Sequence, residues 1–386
     1  MLDAGWLTVN HGAFGATPRV VLEAQERWRR SLEAQPSRFM RRILPEALRE
    51  AAGRLAAFIG AREDDVAFVE NATEGCNAVL RSLTFKPGEE ILVLSHGYAA
   101  VQNAARYIAG RSGAKVVEAK LPFPRADNEA ILAAVEAVLS RRTRLAVLDH
   151  ITSPSALVLP IERLVKACRA AGAKVLVDGA HGPGQVALDL ERLGADWYVG
   201  NCHKWLMAPK GCGFLWASAE AQGDLHPVTI SHGFGKGFRA EFDWTGTRDP
   251  SAWLAVTAAI DFHQRLGGAA LCRRNAALAE EAAIGLARGL ATEIGGLAGR
   301  GAAMAIVRLP IAGTATRERA LALRGRLLDA HACDAPVHAL AGQFWLRFSV
   351  QAYNEPSDYH RLGQIARRLV DEASQVGGGS ERPSGA

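Results

Sequence analysis

Apolar residues along this chain follow two rhythms. After a glycine-rich stretch, Asn10-His11-Gly12-Ala13-Phe14-Gly15, Pro18 opens a segment in which Val21, Ala24 and Trp28 recur at helical spacing. Pro45 opens a second one through Leu48, Ala52, Leu55 and Phe58. The rhythm then shortens. Runs at Ile91–Leu94, Lys115–Val117, Leu145–Leu148 and Val175–Val177 predict strands, separated by helix-like stretches at 98–110, 128–139 and 161–171. Alternation of this kind predicts an α/β fold with a mostly parallel sheet and helices on both faces. From about residue 250 the pattern changes to helices over 250–266 and 269–290, then strands near 303–308 and 343–348 flanking a helix at 315–330, which reads as a smaller α+β domain. The expected organisation is an arm (1–17), a large domain (18–254), a small C-terminal domain (255–374) and a flexible tail (375–386).

A length of 386 residues suits such a two-domain reading. Hydrophobic residues make up 49% and charged residues 22%, the balance of an ordinary globular protein. The net charge of +5 is spread out, with short arginine clusters only at Arg29-Arg30 and Arg41-Arg42, so nucleic acid is not an expected partner. No apolar run is long enough to span a bilayer, and the first residues lack the pattern of a secretion signal, so a cytoplasmic location is expected. The six cysteines are scattered without metal-ligand spacing, and read as small buried hydrophobes in a reducing compartment.

Open α/β sheets carry their chemistry at the carboxyl ends of the strands. Asp149, Asp178 and the Asn201-to-Lys204 segment sit there. Asp178 ends the run Val175-Leu176-Val177-Asp178-Gly179-Ala180-His181; alone it reads equally as a turn cap. Lys204 lies in Gly200-Asn201-Cys202-His203-Lys204-Trp205, ahead of Pro209-Lys210-Gly211-Cys212-Gly213. A lone lysine is usually surface, but one in an aromatic, glycine-flanked turn beside His203 would be desolvated toward the neutral nucleophile. Asn71-Ala72-Thr73-Glu74-Gly75 precedes a helical pattern, so Ala72 and Thr73 open a helix whose N-terminus favours a phosphate, although a simple cap explains it too. A lysine, a buried carboxylate, a phosphate cradle and a ring-stacking partner are what pyridoxal 5'-phosphate (PLP) asks of a protein.

These motifs in this order, with Thr245-Gly246-Thr247-Arg248-Asp249 after them, are similar to the class-V aminotransferase family, fold type I among PLP enzymes, over about residues 7 to 370. Three stretches resemble the subgroup with isopenicillin N epimerase and hercynylcysteine sulfoxide lyases: Val9 to Pro18, Leu148 to Pro160, and Leu346 to Asn354. The resemblance implies a seven-stranded large-domain sheet and a homodimer with active sites at the interface. It implies that Lys204 holds PLP covalently and that Asp178 pairs with the pyridine nitrogen. Ala72, Thr73 and His203 would hold the phosphate, with Thr247 reaching that of the neighbouring subunit. Tyr98 matches the stacking position, and His181 and Ser153 the contacts to the phenolic oxygen; the alternative for His181 is a structural histidine under the sheet. Arg347 matches the clamp of an amino-acid substrate's α-carboxylate, although an arginine in such a strand otherwise reads as an edge residue. The arm, through Asn10, His11 and Gly12, would fold over the substrate, or form an inert turn.

The implied activity is PLP chemistry at the Cα of an amino acid, as an epimerase or aminotransferase. The alternatives are a C–S lyase or a cysteine desulfurase-like enzyme, in which Cys333, ahead of Arg347, would act as nucleophile, and a non-catalytic protein that kept only the fold. Arg38, Arg41 and Arg42 read as a solvated helix face or as a site for a distal carboxylate.

Overall fold

The computed structural model describes residues 2–125, 127–296 and 301–377. Among these, the strands in chain order are β1 (Leu7–Thr8), β2 (Val66–Val69), β3 (Glu90–Leu94), β4 (Lys115–Ala119), β5 (Thr143–Asp149) and β6 (Lys174–Gly179). They continue as β7 (Trp197–Asn201), β8 (Gly213–Ala217), β9 (Met304–Leu309), β10 (Cys333–Asp334), β11 (Val337–Leu340) and β12 (Gln343–Ser349). The large sheet has seven strands in the order β2-β8-β7-β6-β5-β3-β4. β8 is antiparallel to both its neighbours, and the other pairings are parallel. A mostly parallel, seven-stranded sheet is therefore what forms.

The central strands are buried on both faces, which is why β5 and β6 read as nearly unbroken apolar runs. Helices Ala99–Ser112, Asn128–Glu136 and Ile161–Ala170 make the crossovers. The register sets Asp149 beside Asp178 at the carboxyl ends of β5 and β6. Gly179, the last residue of β6, has no room for a side chain: a Cβ there would overlap the Tyr198 ring from β7. Tyr198 is fully buried, stacks on Phe214 of β8 and bonds His150 Nδ1 through its hydroxyl at 3.0 Å. The Asp-Gly pair thus turns the chain tightly under the cavity.

A second core gathers the three-stranded sheet β11-β12-β9 and the helices Ala269–Gly289, Arg317–His331 and Pro356–Gly377. Leu7 and Val9 belong to this core, because β1 pairs in parallel with β10, Leu7 opposite Cys333. The arm is therefore anchored to residues more than three hundred positions away.

Two details differ from the sequence reading. The helix expected over 250–266 forms as Ser251–Leu254 and Val256–Arg265, because a ψ of −3° at Ala255 departs from the helical path. The C-terminal helix carries through Gly377, past the expected start of the tail at 375, and the remainder of that tail lies outside the described residues. Among the described residues no helix is long and apolar enough to cross a membrane.

Candidate active site

A cavity of about 570 Å³ opens at the carboxyl ends of the central strands. Helix Ala72–Ser82 points its N-terminus into it through Ala72 and Thr73; β3 is followed by Tyr98, and β5 by Ser153. The lining is completed by Asp178, His181, His203 and Lys204. Eight of the expected cofactor residues thus converge. Thr247, the ninth, is exposed and does not line the cavity within one chain.

The helix N-terminus is set up for an anion. Asn71 caps it, its side chain accepting from Glu74 N at 3.0 Å, and Ala72 N donates to Asn201 Oδ1 at 2.8 Å. Among the hydrogen bonds of the described residues none engages the Thr73 amide or hydroxyl, both of which a phosphate could take. His203 lies nearby, but its Nδ1 donates to the Cys212 carbonyl at 3.2 Å. Its Nε2 can therefore donate to a phosphate only from the imidazolium, a form that burial, with the Lys204 charge, disfavours by lowering the pKa to about 4.

Lys204 is held at the cavity wall with its amine deep in protein. Burial pulls its pKa from 10.5 to about 8, against the attraction of Asp178. Asp178 is buried and its Oδ1 accepts from Ala180 N at 3.0 Å; burial raises its pKa, opposed by that bond and by Lys204. Asp149 is pushed up further, by burial and then by the charge of Asp178. Its Oδ1 accepts from Tyr98 N at 3.2 Å, which fixes the start of helix Ala99–Ser112 and the half-exposed Tyr98 ring. A buried carboxylate that makes no direct ion pair among the described residues, an amine with a depressed pKa and an open helix N-terminus fit PLP group by group.

None of the expected substrate residues, Asn10, His11, Gly12 and Arg347, lines this cavity; they reach its wall through the arm and Ser153. Arg347 on β12 is buried; its Nη1 donates to the Ser153 carbonyl and to Ser153 Oγ at 3.2 Å, its Nη2 to Asn10 Oδ1 at 2.9 Å, and its Nε has no partner among the described residues. Asn10 in turn donates to Asp334 Oδ1 at 3.0 Å. The His11 ring does not line the cavity: its Nε2 donates to the Lys204 carbonyl at 3.0 Å, and its Nδ1 accepts from the Tyr353 hydroxyl at 3.1 Å. Gly12 N donates to Ser349 Oγ at 3.1 Å. Gly15 has φ +74°, and a Cβ there would overlap the His203 carbonyl.

Three residues beyond the sequence expectation belong to this arrangement. Phe14 lines the cavity while remaining exposed. Lys210 Nζ donates to the Gly15 carbonyl at 2.8 Å. Trp205 Nε1 donates to His181 Nδ1 at 3.2 Å. The motifs contained all three, but only contacts across the fold give them a place. Conversely, Cys333 is fully buried in β10 with its thiol pushed up to about 12 by burial, and none of the six cysteines lines the cavity. Arg38, Arg41 and Arg42 are exposed and outside the lining, around a one-turn π-helical segment Phe39–Ile43.

The fold and these residues define a PLP-dependent enzyme of fold type I. The model of the class-V aminotransferases matches residues 12–362, and the chain belongs to that family. It is 33% identical to a probable chloroplastic L-cysteine desulfhydrase of Arabidopsis thaliana, over 95% of this chain and 84% of that protein. It is 35% identical to the isopenicillin N epimerase of Amycolatopsis lactamdurans, over 95% of this chain and 96% of that protein. A cystine C-S lyase solved with cysteine persulfide superimposes with a TM-score of 0.78, covering 95% of this chain and 98% of that one at 23% identity, a likeness of fold. The family's cofactor is PLP, and a variant of a C-S lyase with the same fold was solved with glycine linked to it.

Proposed function

We propose that this enzyme removes the Cα proton of an α-amino acid whose α-carboxylate docks on Arg347, with Lys204 moving the proton. What carries the reading is the placement of one buried amine in a cavity between a carboxylate, Asp178, and an open helix N-terminus at Thr73. Bound PLP supplies the electron sink that makes this proton acidic. Asp178 is assigned to its ring nitrogen and the Thr73 amide and hydroxyl to its phosphate, with Ala72 opening the helix whose N-terminus favours that anion and His203 joining as an imidazolium drawn by the phosphate charge; Tyr98 is assigned to the ring face, and His181 with Ser153 to the phenolic oxygen. A pKa near 8 leaves part of the Lys204 population neutral at physiological pH, ready to accept a proton. Asn10 aims the Arg347 guanidinium, while His11 and Gly12 seat the arm. The two cores fit a cofactor-binding domain and a smaller C-terminal one.

Homodimerisation belongs to this reading. Phe14 in the cavity lining and the segment with Val228, Ile230 and Phe234 offer exposed apolar surface for a second copy, and exposed Thr247 would reach the neighbour's phosphate. Unpaired cysteines support a reducing compartment, the cytoplasm.

Reprotonation would give an epimer, the activity named for one relative; loss of a β-sulfur group would make it a lyase, as named for others. The second outcome has an observation in its favour: with no thiol in the lining, released sulfur would leave as a small molecule and not pass to a protein cysteine. The test is to incubate the holoenzyme with a panel of amino acids in D2O. Exchange at Cα is expected for at least one and should vanish in Lys204→Ala; accumulation of the D-isomer marks epimerisation, and sulfide with pyruvate marks elimination. Absence of exchange across the panel refutes the proposal.

A further inference from the structure

Trp205 follows the cofactor lysine, but its side chain is fully buried, turned away from solvent, and spends its one polar atom on a histidine. An indole N–H can only donate. At 3.2 Å from Trp205 Nε1, His181 Nδ1 must therefore present a lone pair, so the ring's proton resides on Nε2. Nε2 in turn lies 3.4 Å from Lys204 Nζ. The imidazole stays neutral here, since burial holds its pKa well below 6.5, with the charges of Lys204 and Arg347 adding to the effect. The loop that carries it is pinned by Gln185 Nε2, which donates to the His181 carbonyl at 2.7 Å.

We infer that Trp205 is a positioning residue that fixes the tautomer of His181, so that an N–H and not a lone pair faces the Lys204 amine. The inference rests on the assignment of Lys204 under the proposed function. Its chemical consequence follows from donor counting. An ammonium on Lys204 carries only donors and finds no acceptor in an Nε2–H ring; a neutral amine has a lone pair that can accept from it. The lock therefore disfavours the charged amine and favours the form that attacks a carbonyl or takes a proton. It acts beside the other charged groups at this amine, Asp178, which favours the ammonium, and Arg347, which disfavours it. When PLP is present, the same N–H is available to an oxygen acceptor on the cofactor.

Replacing Trp205 by Phe keeps a ring in the buried space and deletes the donor. His181 can then carry its proton on Nδ1 and turn an Nε2 lone pair toward the amine, which would stabilise the ammonium. A hydrogen bond to a charged group is strong enough to move the Lys204 midpoint upward by about one pH unit. Two measurements on the cofactor-free protein read this directly. Long-range 1H–15N NMR of histidine-labelled protein, with His181 assigned by His181→Gln, should show Nε2 protonated and Nδ1 bare in the wild type, and a shift toward the other tautomer in Trp205→Phe. The pH dependence of reductive methylation at Lys204, followed by peptide mass spectrometry, should show the higher midpoint in that variant. A wild-type ring protonated on Nδ1 overturns the inference without any variant, so it is decided even if Trp205→Phe fails to fold. An unmoved lysine midpoint in a folded variant overturns it too. Neither readout needs turnover, so failure of the lock and failure of the proposed reaction are distinguishable.

Discussion

Replacing Lys204 by Met should make the cofactor-free protein more stable at neutral pH. The amine's pKa falls from its ordinary 10.5 to about 8 in the fold, chiefly through burial. At ~1.4 kcal/mol per pH unit, holding the ammonium in this place costs about 3 kcal/mol relative to the unfolded chain. Part of the side chain still faces the cavity, where water screens the charge, so about 3 kcal/mol is an upper bound. The cost is fully present below pH 8, where lysine is charged both folded and unfolded. It fades as pH rises from about 8 to 10.5, because the folded amine is then already neutral. Methionine has a similar volume and no charge, so the variant should unfold roughly 2 to 4 °C higher at pH 7, given the unfolding entropy of a chain this long. Calorimetry of both cofactor-free proteins between pH 6.5 and 11 tests the sign and the window together. A variant no more stable than wild type at pH 7, or one whose advantage persists undiminished at pH 11, refutes the reasoning.

Other outcomes follow from particular contacts. Arg347→Lys removes a planar donor held by Ser153 and Asn10, and should lower kcat/KM for Cα exchange by about a hundredfold while the cofactor's absorbance is retained. Gly179→Ala drives a methyl group into the Tyr198 ring and should cost about 3 kcal/mol in urea unfolding, part of which Tyr198→Leu in the same chain should restore. Cys333→Ala should keep activity within about twofold, and mass spectrometry should find no persulfide on Cys333 of the wild type after turnover, since its thiol is buried and pushed up to about 12. Activity should show no inflection near pH 6.5 from His181, whose burial keeps it neutral throughout the range in which histidines usually titrate.

How much of this was visible along the chain depends on the range of the interaction. Strands β3, β5 and β6 announce themselves because a strand buried on both faces must be apolar over almost its whole length, whereas β4, Lys-Val-Val-Glu-Ala at the sheet edge and only partly buried, shows through its paired valines. Strands β2, β7 and β8 are buried just as fully, but their sequences, Val-Ala-Phe-Val, Trp-Tyr-Val-Gly-Asn and Gly-Phe-Leu-Trp-Ala, are short, and the last two mix aromatics with glycine in place of β-branched runs. The motifs around Thr73, Asp178 and Lys204 are local, and each lies where a strand hands over to a loop or a helix begins, so their convergence follows from the sheet order. What stayed hidden is pairwise and long-range. No spacing reveals that Asn10 meets Arg347, that His11 meets the backbone of Lys204, or that Trp205 meets His181, because each pair depends on where a loop comes to rest.

Those long-range pairs also give the arm its place in the proposed mechanism. Lys204 belongs to the large sheet's lining and Arg347 to the small sheet, so the distance between the proposed base and the proposed carboxylate clamp is not fixed by either sheet alone. The arm spans that gap at four points: Asn10 on Arg347, Gly12 on Ser349, His11 on the carbonyl of Lys204, and Gly15 against His203. Its own anchor is the pairing of β1 with β10, which puts Leu7 opposite Cys333. Sequence alone placed that cysteine as a candidate sulfur carrier ahead of the arginine. In the fold its backbone instead holds the arm in register, and its buried side chain fills the core behind it, so the demand on position 333 is for a small apolar group and not for a reactive thiol.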